Sequence, residues 1–472
     1  MKNKISYYFF LFLPLFILSF SLELEAQNQT SLRKFLNEPH LKHAAIGLKI
    51  VDLSSGEVVL SHNENTSFTP GSTMKIVTTA TALDILGKNF SFQTKLLYDG
   101  EILDGILLGD LIIEGFGDPT LGSEFLSQDI SSVYSKFFQA INNAGIKKIN
   151  GRVIVLDQHF GYEGISGKWM WEDIGNAYSS AIYGISIYDN TCKIELQSFQ
   201  VGKDTKILNM RPNITDLQLI NEIKGAASNA DNSYVSGIPF SNNRRLYGTI
   251  PQNRSSFIVK SDIPDPGLLL AREIKQYLTN NGIAITQEAT TNRLVSFTPT
   301  SPILLTAHRS PSLASIVRVI NERSNNHYAE HVYQYLTKIE GVDILSYWKK
   351  QGITTSSLFL FDGSGISAAN AVSVTFLTDI LIYMNDRSLE SDAFYESFPI
   401  AGKEGTVVSF LRGTCLEGKA KVKSGSLTNV QSYSGYINSN GKRYAFAIIV
   451  NQYNGTRSNL RKSIESLLIS SF

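Results

Sequence analysis

Strand-like segments near both ends of the 472-residue chain constrain its fold more than any other feature. They lie at 44–51, 58–62, 420–424, 432–437 and 444–451, with a hairpin turn at 438–441. Because isolated strands are unstable, segments this far apart are expected to pair in one sheet closed by the two ends of the chain. A last helix from about residue 458 carries apolar side chains on one face, and we expect it to cover the sheet rather than to enter a membrane.

The middle of the chain is predicted to be a large β-rich insertion with one or two lobes. It opens with a strand at 106–114, a helix at 130–144 and a strand at 151–156. A further helix at 267–278 follows Pro264, Asp265 and Pro266 and is expected to return to the first domain. The predicted fold class is therefore α+β, a mixed domain of antiparallel sheet flanked by helices. The predicted division has three parts: a signal peptide at 1–26, a first domain formed by 27–91 together with 262–472, and an insertion at 92–261.

The N-terminus has the pattern of a secretory signal. Lys2 and Lys4 precede an apolar run at 5–22, and Ala26 offers a cleavage site before Gln27. We expect a cleaved signal peptide over residues 1–26 and an exported chain. The alternative is an uncleaved anchor, and no Cys follows the apolar run that would carry a lipid.

Charge and cysteine content exclude several classes. Lys and Arg number 43 against 42 Asp and Glu, a balance that gives no sign of a nucleic-acid partner. The two cysteines, Cys192 and Cys415, form no C-x-x-C zinc motif. Two alternatives stay open for them: a disulfide in an exported protein, or two buried thiols.

A serine and a lysine at the start of a predicted helix form the strongest single candidate site. After Pro70 and Gly71, Ser72 lies in the first turn and Lys75 one turn later on the same face, and the helix is expected to end at Gly87. A neutral amine beside a hydroxyl at a helix N-terminus can activate the hydroxyl as a nucleophile. The S-x-x-K pattern alone is weak, because it also begins at Ser31, Ser346 and Ser439.

Two further motifs strengthen the assignment. Ser324 and Asn326 follow the helical run 313–320, and Lys423, Ser424, Gly425 and Ser426 end a predicted strand. Asp362-Gly363-Ser364-Gly365 is interpreted as a tight structural turn. The order S-x-x-K, S-x-N, K-[ST]-G is the set found in penicillin-binding proteins and class A β-lactamases. Ser72 is therefore predicted to be an active-site serine.

The whole chain after the signal resembles the low-molecular-weight class C penicillin-binding proteins, the D-Ala-D-Ala carboxypeptidase/endopeptidase family. Ser72 and Ser324 are 252 residues apart, which matches that family's large insertion and not a compact β-lactamase. Further resembling segments are 117–121, 169–173 leading to Tyr178, 362–367 and 402–406. Two small departures are Ser424, where the family usually has Thr, and Asn325 at a variable position.

The resemblance implies the first set of roles. Ser72 attacks the carbonyl of the penultimate D-Ala and forms an acyl-enzyme, with Lys75 as the base. To act, Lys75 must be neutral, and we expect burial and the like charge of Lys423 to lower its pKa. Ser324 relays a proton to the leaving amine, and Asn326 orients Lys75 and the substrate amide.

The resemblance also assigns substrate contacts on the predicted strand. Lys423, Ser424 and Gly425 are expected to receive the substrate carboxylate, and the backbone N–H groups of Ser72 and Ser426 to form the oxyanion hole. Peptidoglycan stem peptides are the implied substrates in the periplasm, and β-lactams the implied inhibitors. No metal or other cofactor is implied, and membrane contact is at most peripheral.

Three alternatives compete with this interpretation. His327 and His331 match H-x-x-E-H, an inverted zinc-peptidase motif, although the match begins directly after Asn326. The same serine site could serve a β-lactamase or an esterase. A non-catalytic peptidoglycan-binding protein could keep the fold without the reaction.

Overall fold

The computed structural model describes residues 27–126 and 129–472. The predicted signal peptide at 1–26 therefore lies outside the described residues. The α-helices of the described part are α1 27–36, α2 Lys75–Leu86, α3 Ile130–Asn143, α4 Pro266–Asn280, α5 Leu313–Arg323, α6 Asn326–Gln334, α7 Ile344–Lys350, α8 Val374–Asp386, α9 Ser391–Ser397 and α10 Arg457–Ser470.

The strands divide between the two parts of the molecule. They are β1 Ala45–Asp52, β2 Val58–His62, β3 Gln93–Leu103, β4 Ile106–Gly115, β5 Lys148–Ile149, β6 Val153–Leu156, β7 Thr191–Gln197, β8 Lys206–Arg211, β9 Gln218–Asn221, β10 Lys224–Ala226, β11 Asn232–Ser236, β12 Asn243–Pro251, β13 Phe257–Asp262, β14 Ala284–Ile285, β15 Thr290–Thr291, β16 Ile303–Arg309, β17 Ala420–Leu427, β18 Val430–Ser439 and β19 Lys442–Asn451.

Both ends of the chain meet in one antiparallel sheet. Its order is β17-β18-β19-β1-β2, and Ala45 of β1 pairs with Asn451 of β19. The β18–β19 hairpin turns through Asn440 and Gly441, whose φ angles of 51° and 75° are those favoured in two-residue hairpins. The predicted sheet closed by the termini is confirmed.

Each face of this sheet carries its own layer of helices. Alternate side chains of β19 point to opposite faces, so that Phe446 and Ile448 pack with α10 while Ala447 and Ile449 pack with α2 and α8. On α10, the apolar face predicted from the sequence is buried against the sheet. The nucleophile helix α2 lies in the opposite layer and is enclosed by α5, α6 and α8, which holds it rigidly.

The inserted region contains three further sheets. The largest has seven strands, with β14-β5-β4-β3-β16 in order and β6 and β15 attached beside β4. Two smaller sheets, β13-β7-β8 and a group of β9 to β12, complete it. The predicted α+β class with a β-rich insertion is confirmed, and α3 and α4 pack on the seven-stranded sheet.

The placement of α4 differs from the expectation. Leu270, Ile274 and Leu278 of this helix are buried in the core of the insertion, and β16 pairs with β3. The helix expected to return to the first domain therefore covers the inserted sheet instead of the sheet closed by the termini. This packing favours an insertion over about 92–309, which we retain as a proposed domain division.

The cysteines do not meet either expectation. Cys192 is a buried free thiol and Cys415 an exposed one. The described ranges contain no helix that is long and apolar enough to cross a bilayer.

Candidate active site

Ser72 lies in a short 3₁₀ turn, Gly71–Met74, that leads directly into α2. The sequence placed it on the first turn of the α-helix, which begins instead at Lys75. Gly71 has a φ of +55°, and a Cβ there would lie 2.9 Å from the backbone nitrogen of Ser426. The turn is thus pressed against β17, and this close approach brings the first and third motifs together.

Lys75 connects the nucleophile to two distant segments. Its Nζ donates to Ser72 Oγ at 3.0 Å, to Asn326 Oδ1 at 2.6 Å and to the carbonyl oxygen of Ser364 at 2.5 Å. The side chain is fully buried, and burial lowers the pKa of Lys75 to about 7. An amine with this pKa is substantially neutral near pH 7 and is within reach of the Ser72 proton.

Two buried carboxyl groups oppose that shift. Asp362 and Glu330 raise the pKa of Lys75 against the larger effect of burial. Burial, with Asp362 second, raises the pKa of Glu330 itself to about 8. Glu330 Oε1 accepts a hydrogen bond from the backbone N–H of Ser364 at 2.7 Å, and so positions the carbonyl that holds Lys75.

The turn that begins at Asp362 is held by several hydrogen bonds and positions the Ser364 carbonyl beside Lys75. Asp362 accepts hydrogen bonds from Trp169 Nε1, from the backbone N–H groups of Gly365 and Ser367, and from Asn370 Nδ2, at 2.6–2.8 Å. The interpretation as a structural turn missed its functional contact, since the turn carries the carbonyl of Ser364. Because Trp169 belongs to the insertion, its hydrogen bond to Asp362 also connects the two parts of the molecule.

The second motif lies at the junction of α5 and α6. Ser324 ends α5 in the left-handed conformation, with φ 55°, and its Oγ accepts from Lys423 Nζ at 2.8 Å. Asn326 begins α6, and its Nδ2 donates to the backbone carbonyl of Tyr178 at 2.8 Å. Asn325 caps α6 by accepting from the N–H of Tyr328, which explains the asparagine at that variable position.

The third motif occupies β17, at the edge of the sheet. Lys423 Nζ also donates to the carbonyl of Ser424 at 2.6 Å, and Ser424 Oγ lies 2.8 Å from Thr406 Oγ1. A Cβ at Gly425 would lie 2.5 Å from the carbonyl oxygen of Pro70 and 2.4 Å from Ser432 Oγ. Gly425 therefore leaves room for the chain that precedes Ser72, a close approach of backbone that a glycine in a strand permits.

The charge of Lys75 affects the pKa of Lys423, but the reverse effect is not seen. Burial, and secondarily the charge of Lys75, lowers the pKa of Lys423 well below its usual value. For Lys75 the cause that lowers the pKa is burial, and Lys423 is not among the groups that shift it, so the expected contribution of Lys423 is not found. An anionic group bound beside Lys423 would raise the pKa of that lysine and restore its positive charge.

The two histidines of the H-x-x-E-H segment are packed among hydrogen-bond partners. His327 lies between Ser180 Oγ at 3.1 Å and Ser186 Oγ at 2.7 Å, while His331 Nδ1 lies 3.0 Å from the carbonyl of Gly117. Burial lowers the pKa of His331 to about 3, so its ring is neutral. Across the described residues, no group of three His, Cys, Asp or Glu side chains is arranged to hold a metal.

An open cleft of about 350 Å³ gives access to the site. It exposes the hydroxyl-bearing side chains of all three motifs, from Ser72 and Ser324 to Ser424 and Ser426. A serine in contact with a buried lysine, beside an open edge strand of a sheet covered by helices on both faces, is the arrangement of a serine hydrolase.

Comparison with known proteins places the chain more closely. The family model of D-Ala-D-Ala carboxypeptidase 3 (S13) matches residues 28–469, and the chain belongs to that family. It is a D-Ala-D-Ala carboxypeptidase, a peptide hydrolase. A D-alanyl-D-alanine carboxypeptidase of Actinomadura is 25% identical over 446 residues, which cover 89% of this chain and 80% of the relative. The carboxypeptidase DacB of Haemophilus influenzae is 26% identical over 425 residues, covering 86% and 85%.

A solved structure matches the fold. Penicillin-binding protein 4 of Haemophilus influenzae superposes with a TM-score of 0.76 at 24% identity, covering 90% of this chain and 94% of that protein. The same protein complexed with a β-lactam superposes with a TM-score of 0.70. This likeness establishes the shared architecture, insertion included.

Proposed function

We propose that the site cleaves D-Ala-D-Ala stem peptides through an acyl-enzyme on Ser72, with Lys75 as the general base. The observation that carries the proposal is the 3.0 Å contact between Lys75 Nζ and Ser72 Oγ, made by an amine whose pKa lies at about 7. General-base catalysis is most effective when the pKa of the base lies near the working pH.

In the proposed acylation, Lys75 takes the proton of Ser72 as Oγ bonds to the carbonyl carbon of the penultimate D-Ala. The C–N bond then breaks, and the proton that Lys75 took from Ser72 is relayed to the leaving amine through Ser324, which is hydrogen-bonded to Lys423, so that Lys75 is neutral again. The backbone N–H groups of Ser72 and Ser426 stabilise the oxyanion between these steps. Water then attacks the ester, with Lys75 as base, and releases the shortened peptide and free Ser72.

The remaining residues of the three motifs orient the substrate in the proposed mechanism. Asn326 holds Lys75 and contacts the substrate amide, while Ser424 and Lys423 receive the carboxylate next to the scissile bond. Gly425 keeps β17 close enough to the nucleophile turn for these contacts. Peptidoglycan stem peptides in the periplasm, both terminal and cross-linked, are the proposed substrates, and export through the predicted signal peptide supports this location.

Benzylpenicillin provides the direct test. Its strained amide should acylate Ser72, and the opened ring stays in place and hinders water. Intact-mass measurement should show one adduct, and peptide mapping should place it on Ser72. Ser72→Ala should abolish the adduct and reduce peptide turnover by about 10⁶-fold.

A matched control uses the S-x-x-K copy on α7. Ser346→Ala should leave the adduct and the turnover unchanged, because Ser346 lies in the first turn of α7, where its N–H and Oγ donate to the capping carboxylate of Asp343. A label on another serine would contradict the assignment of Ser72. Rapid loss of the adduct with penicillin turnover would instead identify a β-lactamase, and no adduct at all would favour a non-catalytic binding protein.

A further inference from the structure

The catalytic cleft continues beyond Ser424 into an end that carries positive charge. Arg457 and Arg461 of α10 line this end together with the rings of Tyr433 and Phe410. No Asp or Glu lines the cleft in the part of the chain that the structure describes. None of the three catalytic motifs includes these two arginines.

The two arginines are only partly neutralised. Arg457 begins α10, is exposed, and makes no hydrogen bond or ion pair with any described residue. Arg461 lies one turn later, with its Nε 3.6 Å from Glu465 Oε1 and without a hydrogen-bond partner. Glu465 Oε1 is already engaged by the backbone N–H of Leu411 at 2.9 Å. The positive end of the α10 dipole adds to the field of both guanidinium groups.

A phenol donor, Tyr433, lines the same space. Tyr433 is only 5% exposed, yet its hydroxyl has no hydrogen-bond partner among the described residues. Its ring is stacked on Phe410 with centroids 3.9 Å apart, which fixes its orientation. Tyr433 is paired with Ser424 in the β17–β18 register and therefore lies one strand further from the edge. The hydroxyl is therefore available to donate to a group bound in the cleft.

We propose that Arg457, Arg461 and the Tyr433 hydroxyl bind a second carboxylate on the leaving side of the substrate, beyond the one that contacts Ser424. This inference rests on the proposed function, which places the leaving group at the Ser424 end of the cleft. Guanidinium groups and a phenol donor are well suited to a carboxylate. A terminal D-Ala has one carboxylate, so the site selects leaving groups that carry another: an acidic amino acid or the acidic peptide of a cross-link.

Paired substrates isolate this contact. Acyl-D-Ala–D-Glu and acyl-D-Ala–D-Gln present the same terminal carboxylate and nearly the same size, and differ in one charge. For the parent enzyme, kcat/KM should be about tenfold higher with the D-Glu peptide than with the D-Gln peptide. This is the effect expected from the weaker end of charge-assisted hydrogen bonds, since the site is open to solvent. This ratio should fall as salt is added, because the arginines face solvent.

Substitutions then test the residues. Arg457→Gln with Arg461→Gln should bring the D-Glu to D-Gln ratio close to one, while Arg461→Lys should retain part of the preference and Tyr433→Phe should reduce it. Lys462→Gln, an exposed charge on the same helix, should leave the ratio unchanged. If the double variant fails to fold, Arg457→Gln alone decides, since it removes an exposed side chain.

Two results would overturn the inference: equal rates for both substrates with the parent enzyme, or a preference that survives loss of both arginines. Either would leave the acyl-enzyme on Ser72 intact. A parent enzyme that forms no penicilloyl adduct and cleaves neither peptide would contradict the proposed function instead.

Discussion

At the residue scale, the proposed mechanism makes the reaction depend on the charge state of Lys75. Its buried amine must lose a proton before it can act, so kcat/KM should rise with pH, reach half its plateau near pH 7 and fall about tenfold per unit below that. Glu330 raises the pKa of Lys75, so Glu330→Gln should move the midpoint to lower pH while retaining an acceptor for the Ser364 N–H. The shift should be modest, because Glu330, with a pKa of about 8, is mostly neutral there. pH profiles of both proteins measure this, and a parent midpoint near 10 would contradict Lys75 as the base.

At the element scale, β17 carries the cation, the hydroxyl and the glycine to which the proposed function assigns the substrate carboxylate. Ser424→Ala should slow hydrolysis of peptides ending in a free carboxylate by about 10- to 150-fold, the effect of losing a charge-assisted hydrogen bond of roughly 1.5–3 kcal/mol. Peptides with that carboxylate amidated should be poor substrates for the parent and lose little more in the variant. Ser439→Ala, on the neighbouring strand β18, is the control and should change neither rate. Equal losses on acid and amide substrates would mean that Ser424 does not contact the carboxylate.

At the scale of the whole molecule, α4 belongs energetically to the insertion. Ile274→Ala should lower the free energy of unfolding by about 2–5 kcal/mol and accelerate hydrogen exchange in β6 and β15, against which α4 packs. The matched substitution Ile464→Ala on α10 should instead accelerate exchange in β17–β19. Exchange measured by mass spectrometry compares the two variants. Faster exchange in β17–β19 with the α4 substitution would contradict the proposed boundary near residue 309.

The sequence alone determined the local elements and the chemistry of the motifs. Strand and helix periodicities are local properties, so the terminal sheet and α10 followed from them, and the order of the three motifs led to Ser72. Only the tertiary structure decided which segments meet. Helix α4 carries an apolar face that fits either sheet by pattern, and its partner was set by shape. The carbonyl of Ser364 accepts a hydrogen bond from Lys75, which lies 289 residues earlier in the sequence. Glu330 in turn accepts a hydrogen bond from the N–H of Ser364. The depressed pKa of Lys75 is a property of burial, which no single segment of the chain can specify, because it arises from all the elements that exclude water from the amine.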